Sequence, residues 1–521
     1  MPLASEIAQN PSTAADDVPA VTEAPPVKPS QQVGLGKHYA RYSAATVLIM
    51  LAGLVSFPTL TRLLDNTQYG ILGYYETWIL MTFAVTKLGA QHAILRMYPF
   101  GGDESRLRHF ATNLVYLPLM VSLGLWLAGM IVFAGGSWAM GAVHSPVLWL
   151  ALLAIPMMVF VSQVEMTLRA SERSGLLTTT KVSARWMELA LVLTAVIAIE
   201  RSALAVYGGR IVSLTIVVLF YIRWVRQHLH FSRDAIDYSA YRDSLLYGLP
   251  LVANEVAGTA LVSLDRVMLK HMTGDYAAVG IYTIGCALAM QLGVLVNNPF
   301  WDSVTPVLNR TYTLDGVEAV RELKSRLLLP VTYASVGVAV GIWAAGADVL
   351  QMLSGPSKVA SGTVFAWVGT VYAIMLVLDL SGYGLLLRKR TGRVMTLMVL
   401  AMLLNIVLNL LWIPDYGYMG AVYATVVSYL LLGLGRCLLC PKGLFQGPDK
   451  RTLWVSLFCA TVFLLAAHFS GVHQLGAPWE RAFAMGGLWV VCYAVLALML
   501  DRRLRYLLSH WRAEMRLGAR G

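Results

Sequence analysis

Stretches of about 20 apolar residues, long enough to cross a bilayer as one helix, recur along this chain and leave room for little else. Fourteen such windows fall near 43–63, 71–97, 110–134, 146–170, 177–199, 203–226, 244–270, 277–303, 326–347, 360–387, 394–413, 417–438, 453–473 and 480–501. An all-α polytopic membrane protein is predicted, because a chain in lipid must satisfy its backbone polar groups internally. Composition agrees: the 521 residues are 57% hydrophobic and 13% charged, with a mean hydropathy of +0.63. No connection is long enough for a catalytic domain. No nucleophile–base constellation, phosphate loop or pair of catalytic acids is visible, so an enzyme is not expected.

Short cytosolic loops are enriched in Lys and Arg. The basic residues fall on alternate connections: Arg106/Arg108, Arg169/Arg173/Lys181, Arg223/Arg226/Arg233/Arg242, Arg310/Arg321/Lys324/Arg326, Arg388/Lys389/Arg390/Arg393 and Lys442/Lys450/Arg451. Both termini are therefore expected in the cytosol. The net charge of +11 is then a topology signal, and nucleic acid is not needed to explain it. Cys286, Cys437, Cys440, Cys459 and Cys492 lie within or at the ends of predicted helices. Cys437 and Cys440 make a lone C-x-x-C with no second pair, and His228 and His230 stand without further ligands, so no metal site is expected.

Residues 1–36 have neither a basic start nor an apolar core and are read as a disordered cytosolic tail. Residues 502–521 read as a basic tail on the anionic leaflet. Between them lies an internal repeat. TRLLDNTQYGILGYY at Thr61 has its counterpart in DRVMLKHMTGDYAAVGIYT at Asp265. Leu168-Arg169 through Ser174-Gly175 matches Leu387-Arg388 through Thr391-Gly392, and Tyr207-Gly208-Gly209 matches Tyr416-Gly417 and Gly420. Six predicted helices per copy make the halves, 37–226 and 244–440, parallel in the membrane, with a substrate path expected between them. Helices 453–473 and 480–501 stand outside the repeat.

An ionisable group inside a span is a functional hypothesis by default. The segment 244–270 carries two such series: Glu255, Thr259, Val262 and Arg266, and one position earlier Asn254, Gly258, Leu261 and Asp265. Each series follows helical spacing and marks a polar side. Pro250 is expected to bend this helix, and Gly258 to let a neighbour approach closely. Glu76 and Lys87 share a face of 71–97, extended by Thr82, Thr86 and Gln91. In 277–303, Gln291, Asn298 and Asp302 recur at helical spacing. Glu165 with Arg169, and Arg185 with Glu188, have the spacing of structural pairs on one helix. Asp379 precedes Ser381-Gly382-Tyr383-Gly384, where the backbone can break, and Asn405 and Asn409 read as interhelical hydrogen-bonding residues.

Three stretches carry a family resemblance: PTLTRLLDNTQYGILGYY at Pro58, YGLPLVANEVAG through LDRVMLKHMTGDYAAVGIYTIGCALA at Tyr247, and NIVLNLLWIPDYGYMGAVYATVVSYL at Asn405. With the six-plus-six repeat they span Lys37 to Cys440. The chain resembles the polysaccharide flippase branch of the multidrug/oligosaccharidyl-lipid/polysaccharide exporter superfamily, departing from its pattern where Val422 follows Ala421. The resemblance implies transport of a lipid-linked oligosaccharide, of the undecaprenyl-pyrophosphate type, across the bacterial inner membrane, with polysaccharide assembly proteins as partners. Alternating access of the halves is expected, around a cavity lined by 43–63, 71–97, 244–270 and 277–303. Arg266, Lys87 and Arg62, with Asn254, Gln291 and Asn298, are the expected substrate contacts. Glu255, Glu76 and Asp265 are the candidates for coupling to protons or sodium, and no other cofactor is expected. Acids within the spans outnumber bases, which keeps open a small-molecule cation antiporter of the same superfamily. A membrane glycosyltransferase or polymerase, and a non-transporting scaffold of an export complex, are the readings from other classes.

Overall fold

The computed structural model describes residues 29–99, 103–141, 144–507 and 509, with side chains from Thr46 onward. Residues 1–28 of the expected tail, and most of 502–521, lie outside the described residues. The described chain is helical throughout, with no strand. Its helices are α1 (Pro29–Leu63), α2 (Asn66–Thr86), α3 (Ala90–Arg96), α4 (Glu104–Ala139), α5 (Pro146–Ala170), α6 (Ser174–Ala198), α7 (Ala203–His228), α8 (Tyr238–Thr273), α9 (Tyr276–Leu314), α10 (Gly316–Ser354), α11 (Ser361–Leu387), α12 (Thr391–Tyr416), α13 (Tyr418–Leu438), α14 (Lys450–Phe469) and α15 (Pro478–Leu500). All fourteen expected windows are helical. Twelve described helices are long and apolar enough to cross a membrane; the short α3 falls outside that set, as do α2 and α6, which both carry ionisable residues that neighbouring helices satisfy.

Three boundaries differ from expectation. Helix α1 begins at Pro29, so 29–36 are helical rather than tail; proline at a first helical turn loses no hydrogen bond there. The window 71–97 is two helices, because Lys87–Gly89 break it, with Leu88 and Gly89 at φ of 54° and 71°. Helices α8, α9 and α10 run to 36, 39 and 39 residues. At 1.5 Å per residue the longest reach about 58 Å, beyond the hydrocarbon core, and their extra turns carry Arg242, Arg310, Arg321 and Arg326.

The repeat is visible in atomic contacts. Asp65 caps α2 by accepting from Gln68 N at 2.7 Å, and Asp275 caps α9 by accepting from Ala277 N at 2.7 Å. Five residues beyond each cap is a glycine at the crossing of these two helices. A Cβ on Gly70 would sit 1.8 Å from the Tyr276 carbonyl oxygen, and one on Gly280 the same distance from that of Asn66. Equivalent residues touching reciprocally are the signature of a two-fold relation, here between halves of one chain. In a membrane such small residues let backbones meet and gain dispersion contacts that lipid would otherwise supply.

Helices α5 and α11 end in the same Schellman turn. Arg173 N donates to Leu168 O at 3.0 Å around Glu172 at φ 56°, and Arg390 N donates to Leu385 O at 2.9 Å around Lys389 at φ 52°. The helical hairpins α6–α7 and α12–α13 are closed at Gly209 and Gly420, where added Cβ atoms would strike the backbone of Val192 and Trp412. Helix α1 packs on α6 as α8 packs on α12.

Among the described residues, α14 and α15 pack chiefly on α10. Trp489 Nε1 donates to Gly337 O at 2.8 Å, Tyr493 OH to Tyr333 O at 2.7 Å, and Arg481 pairs with Asp348 at 2.7 Å. The connection between halves is tied to a π-helical turn of α4. Asn113 donates to Ala235 O at 2.7 Å and accepts from Asp237 N at 2.8 Å, and Tyr116 OH donates to Leu229 O at 3.0 Å.

Candidate functional site

The polar side chains converge where α2 and α3 of the first half meet α8 of the second. Gly89 and Gly248 bring the backbones together, since a Cβ on Gly89 would lie 2.6 Å from Gly248 O. Gly258, the expected point of close approach, has nothing within 4 Å; the crossing lies ten residues nearer the start of α8. Above it the break after Thr86 turns Lys87 into the seam, where its ammonium pairs with Glu255, and Gln91 Nε2 donates to the second Glu255 oxygen at 3.2 Å. Lys87 is 7% exposed and Glu255 32%, so this pair bridges the halves at the edge of the cleft.

Arg266 lies eleven residues further along α8, about 16 Å by helix rise. It is 7% exposed, its Nε is buried without a partner, and among the described residues it makes no hydrogen bond or ion pair. Its charge is felt by Tyr69 of α2 in the first half and by Cys286 of α9 and Tyr372 of α11 in the second. A buried cation left unpaired is costly, and an incoming anion would relieve that cost.

Asp265 points the other way, into the second half, and is fully buried. Its Oδ1 accepts from Asn409 Nδ2 at 2.6 Å, and its Oδ2 from Thr425 Oγ1 at 2.7 Å and from the Tyr282 hydroxyl. Asn409 Nδ2 also donates to Asn405 Oδ1 at 3.0 Å. Asn409 Oδ1 has no partner. The result is a ring of three neutral donors around a buried carboxylate that no cation bonds among the described residues. Such a ring is suited to holding a proton or a small hard cation. No group of three or more His, Cys, Asp and Glu is present among the described residues.

The other candidates are spread out. Glu76 accepts from Arg210 at 2.5 Å, and Arg210 reaches Glu188 at 3.1 Å, which Arg185 also holds at 3.1 Å. These four charges tie α2, α6 and α7 together. Arg62 stands at the opposite end of the molecule from the Arg388–Arg393 loop, donating from Nε to Leu353 O at 2.8 Å and from Nη2 to Met352 O. It braces the end of α10, and the structure does not bring it to Arg266. Gln291 lies against Gly53 of α1, Asn254 is half-buried, and Asn298 is exposed. Glu165 pairs with Lys181 of α6 at 2.9 Å instead of with Arg169, because Arg169 belongs to the exposed end of α5.

Sequence reasoning missed Tyr282 and Thr425 as partners of Asp265, and Arg210 as the partner of Glu76. Local spacing carries no signal for contacts across 134 or 160 residues. The pairing of Asn409 with Asp265 does fulfil the interhelical role that the i, i+4 spacing of Asn405 and Asn409 suggested.

A sequence model of the family described as "Polysaccharide biosynthesis protein" matches residues 35–312. The chain belongs to this family. It is 22% identical over 354 residues to "Lsg locus putative protein 1" of Haemophilus influenzae, covering 63% of this chain and 76% of that protein. Among solved structures, the lipid II flippase MurJ in its inward closed conformation superposes with a TM-score of 0.69 at 12% identity, over 89% of this chain and 99% of that one. An inward-facing multidrug resistance transporter of the MATE family, in the MOP superfamily, superposes with a TM-score of 0.55 at 16% identity, over 77% and 97%. The fold of this family member is thus the MurJ and MATE fold, a multi-pass membrane architecture, and the predicted resemblance stands.

Proposed function

We propose that this protein carries a lipid-linked glycan across the bacterial inner membrane by alternating access of its two halves. The observation that carries this reading is Arg266: buried in a spanning helix and without a hydrogen-bonding or ion-pairing partner among the described residues. A guanidinium binds phosphate oxygens through a planar fork, so a pyrophosphate-linked lipid supplies the charge the site lacks. Lys87 joins it when the seam opens and Glu255 releases it, and Asn254 and Gln291 line the approach. Family membership and the flippase fold support the choice of cargo. The printed name of MurJ describes a flippase of lipid II, and the substrate proposed here is of the same chemical class.

Coupling is assigned to Asp265. Glu255 and Glu76 each face a bonded cation, whereas the Asp265 ring has an unpartnered amide oxygen and no bonded cation among the described residues. An ion or proton bound there acts directly beside Arg266 on α8. The test is flipping of a lipid-linked glycan in proteoliposomes, with and without a pH or sodium gradient. Arg266→Ala should abolish flipping, and Arg266→Lys should recover little of it because the fork is lost. Asp265→Asn should leave gradient-independent exchange and remove the gradient's effect. Normal flipping by well-expressed Arg266→Ala would overturn the carrier reading. Survival of the gradient effect in Asp265→Asn would return coupling to Glu255 or Glu76.

A further inference from the structure

At the end of the second half that carries the Arg388–Arg393 loop, a cavity of about 290 Å³ opens between α9, α11, α12 and α13. It is lined by Trp301, Thr305, Asp379, Tyr383, Val394 and Arg436. Asp379 of α11 and Arg436 of α13 form an ion pair across it, and Arg436 Nε is buried with no partner. Trp301 stacks on Tyr383, with ring centroids 5.4 Å apart and planes at 21°. The backbone of α11 breaks at Tyr383, as its Ser-Gly-Tyr-Gly run suggested, and this break shapes the floor.

We propose that this cavity is a saccharide subsite, which holds a neutral sugar residue of the glycan against Trp301 through hydroxyl contacts to Asp379 and Arg436. The proposal rests on the glycan-carrier reading above. Charge favours a neutral ligand: the pair sums to zero, so an anion gains nothing there that it would not gain at Arg266. Hydroxyl groups both donate and accept, and adjacent hydroxyls find a carboxylate acceptor and a guanidinium donor side by side. The guanidinium carries five N–H donors and only its Nη1 is bonded, to Asp379, so the Arg436 edge that lines the cavity keeps donors for a ligand oxygen. An aromatic wall beside such a pair suits the apolar face of a pyranose ring.

The first half indicates that the fold does not require these groups. With the two Schellman turns aligned at Glu172 and Lys389, Tyr383 corresponds to Met166 and Val394 to Leu177. With the hairpin glycines Gly209 and Gly420 aligned, Arg436 corresponds to Val225. Met166, Leu177 and Val225 pack with Leu168 and Tyr221 in one apolar cluster. The first half therefore builds this corner with apolar side chains in the places of Tyr383, Val394 and Arg436 and with Ser162 in that of Asp379, and the Asp379–Arg436 pair belongs to the second half alone of the two.

The test is saturation-transfer NMR on the full-length protein in nanodiscs, with methyl glycosides of glucose, galactose and N-acetylglucosamine as probes. Bound inorganic pyrophosphate is followed separately by phosphorus NMR. The wild type should give transfer to at least one glycoside, and Asp379→Asn, Arg436→Gln and Trp301→Leu should each lose it. Val394→Phe, which fills the cavity but keeps the ion pair, should also lose it, so a folding defect at the pair cannot mimic the result. Arg266→Ala should keep glycoside transfer and lose pyrophosphate, and Asp379→Asn should do the reverse. No transfer to any of the glycosides in the wild type, or transfer unchanged in Val394→Phe, would overturn the subsite. Loss of the pyrophosphate response alone would count against the carrier reading and leave the subsite standing.

Discussion

The two halves share a skeleton and differ in how they treat charge. In the first half, Glu76, Arg185, Glu188 and Arg210 neutralise one another, and Glu165 is matched by Lys181. In the second, Arg266 has no hydrogen-bonding or ion-pairing partner among the described residues, and Asp265 is held by neutral donors alone. The halves also differ outside: α10 is covered by α14 and α15, while Gly124 and Gly129 of its counterpart α4 meet nothing within 4 Å. What the halves have in common is backbone geometry, set by caps, crossing glycines and helix-ending turns. Where they diverge, the second half alone of the two keeps a buried cation without a partner and a buried carboxylate without a bonded cation among the described residues, whereas the orphaned polar atoms of the first half, such as those of Gln163 and Tyr221, are neutral.

The shared skeleton is the most fragile part. Gly70→Ala and Gly280→Ala should each lower the thermal unfolding midpoint in detergent sharply, and by similar amounts. Overpacking costs about 1–3 kcal/mol, and here the atoms struck are backbone. If only one substitution mattered, the crossing would not be the reciprocal contact that the two-fold relation requires.

The seam between halves comes next. Lys87→Ala or Glu255→Ala alone leaves a partly buried charge unmatched, and each should destabilise by less than the roughly 3–5 kcal/mol seen for fully buried pairs, because Glu255 is partly exposed. Lys87→Ala/Glu255→Ala together should be milder than the worse single variant. A double variant as unstable as the sum of the singles would mean that the two side chains are not coupled.

How much of this could be read beforehand depends on the range of the signal. Helix positions follow from runs of apolar residues, and the repeat from Gly70 and Gly280 sitting at matched distances from Asp65 and Asp275. The break in 71–97 was written locally too, in the Lys-Leu-Gly that ends α2, but the apolar run on either side masks it. Partners were legible only within one helix: Arg185–Glu188 is as the i, i+3 spacing implies, whereas Glu165 prefers a lysine on the next helix. The Asp265 ring draws on α8, α9, α12 and α13, and no pattern within one of these segments announces the other three. Gly258 misled because a glycine in a spanning helix marks permission for close approach, and only the packing decides whether a neighbour uses it.

Smaller effects sharpen the comparison. Asn409→Ala removes one donor from Asp265 and should cost about 1–3 kcal/mol while weakening any response to a sodium or pH gradient. Its absence from the first half predicts that Glu76→Gln lowers stability and leaves the gradient response in place. Asn113→Ala frees the inter-half connection from α4 and should cost about 1 kcal/mol, with faster amide exchange over 232–237 as the readout. Gly258→Ala should be neutral or slightly stabilising, since it adds a Cβ in open space and removes a helix-interior glycine. A marked loss of stability there would mean that a neighbour occupies the cleft.

The central claim is that Arg266 is an unpaired cation awaiting the anionic head of a lipid. Native mass spectrometry of the purified wild type and of Arg266→Ala, with undecaprenyl pyrophosphate and undecaprenol offered together, tests it most directly. The account predicts that the wild type retains the pyrophosphate lipid over the alcohol and that Arg266→Ala, equally well folded, loses the preference. Equal retention of the two lipids by the wild type, or an undiminished preference in Arg266→Ala, would contradict it.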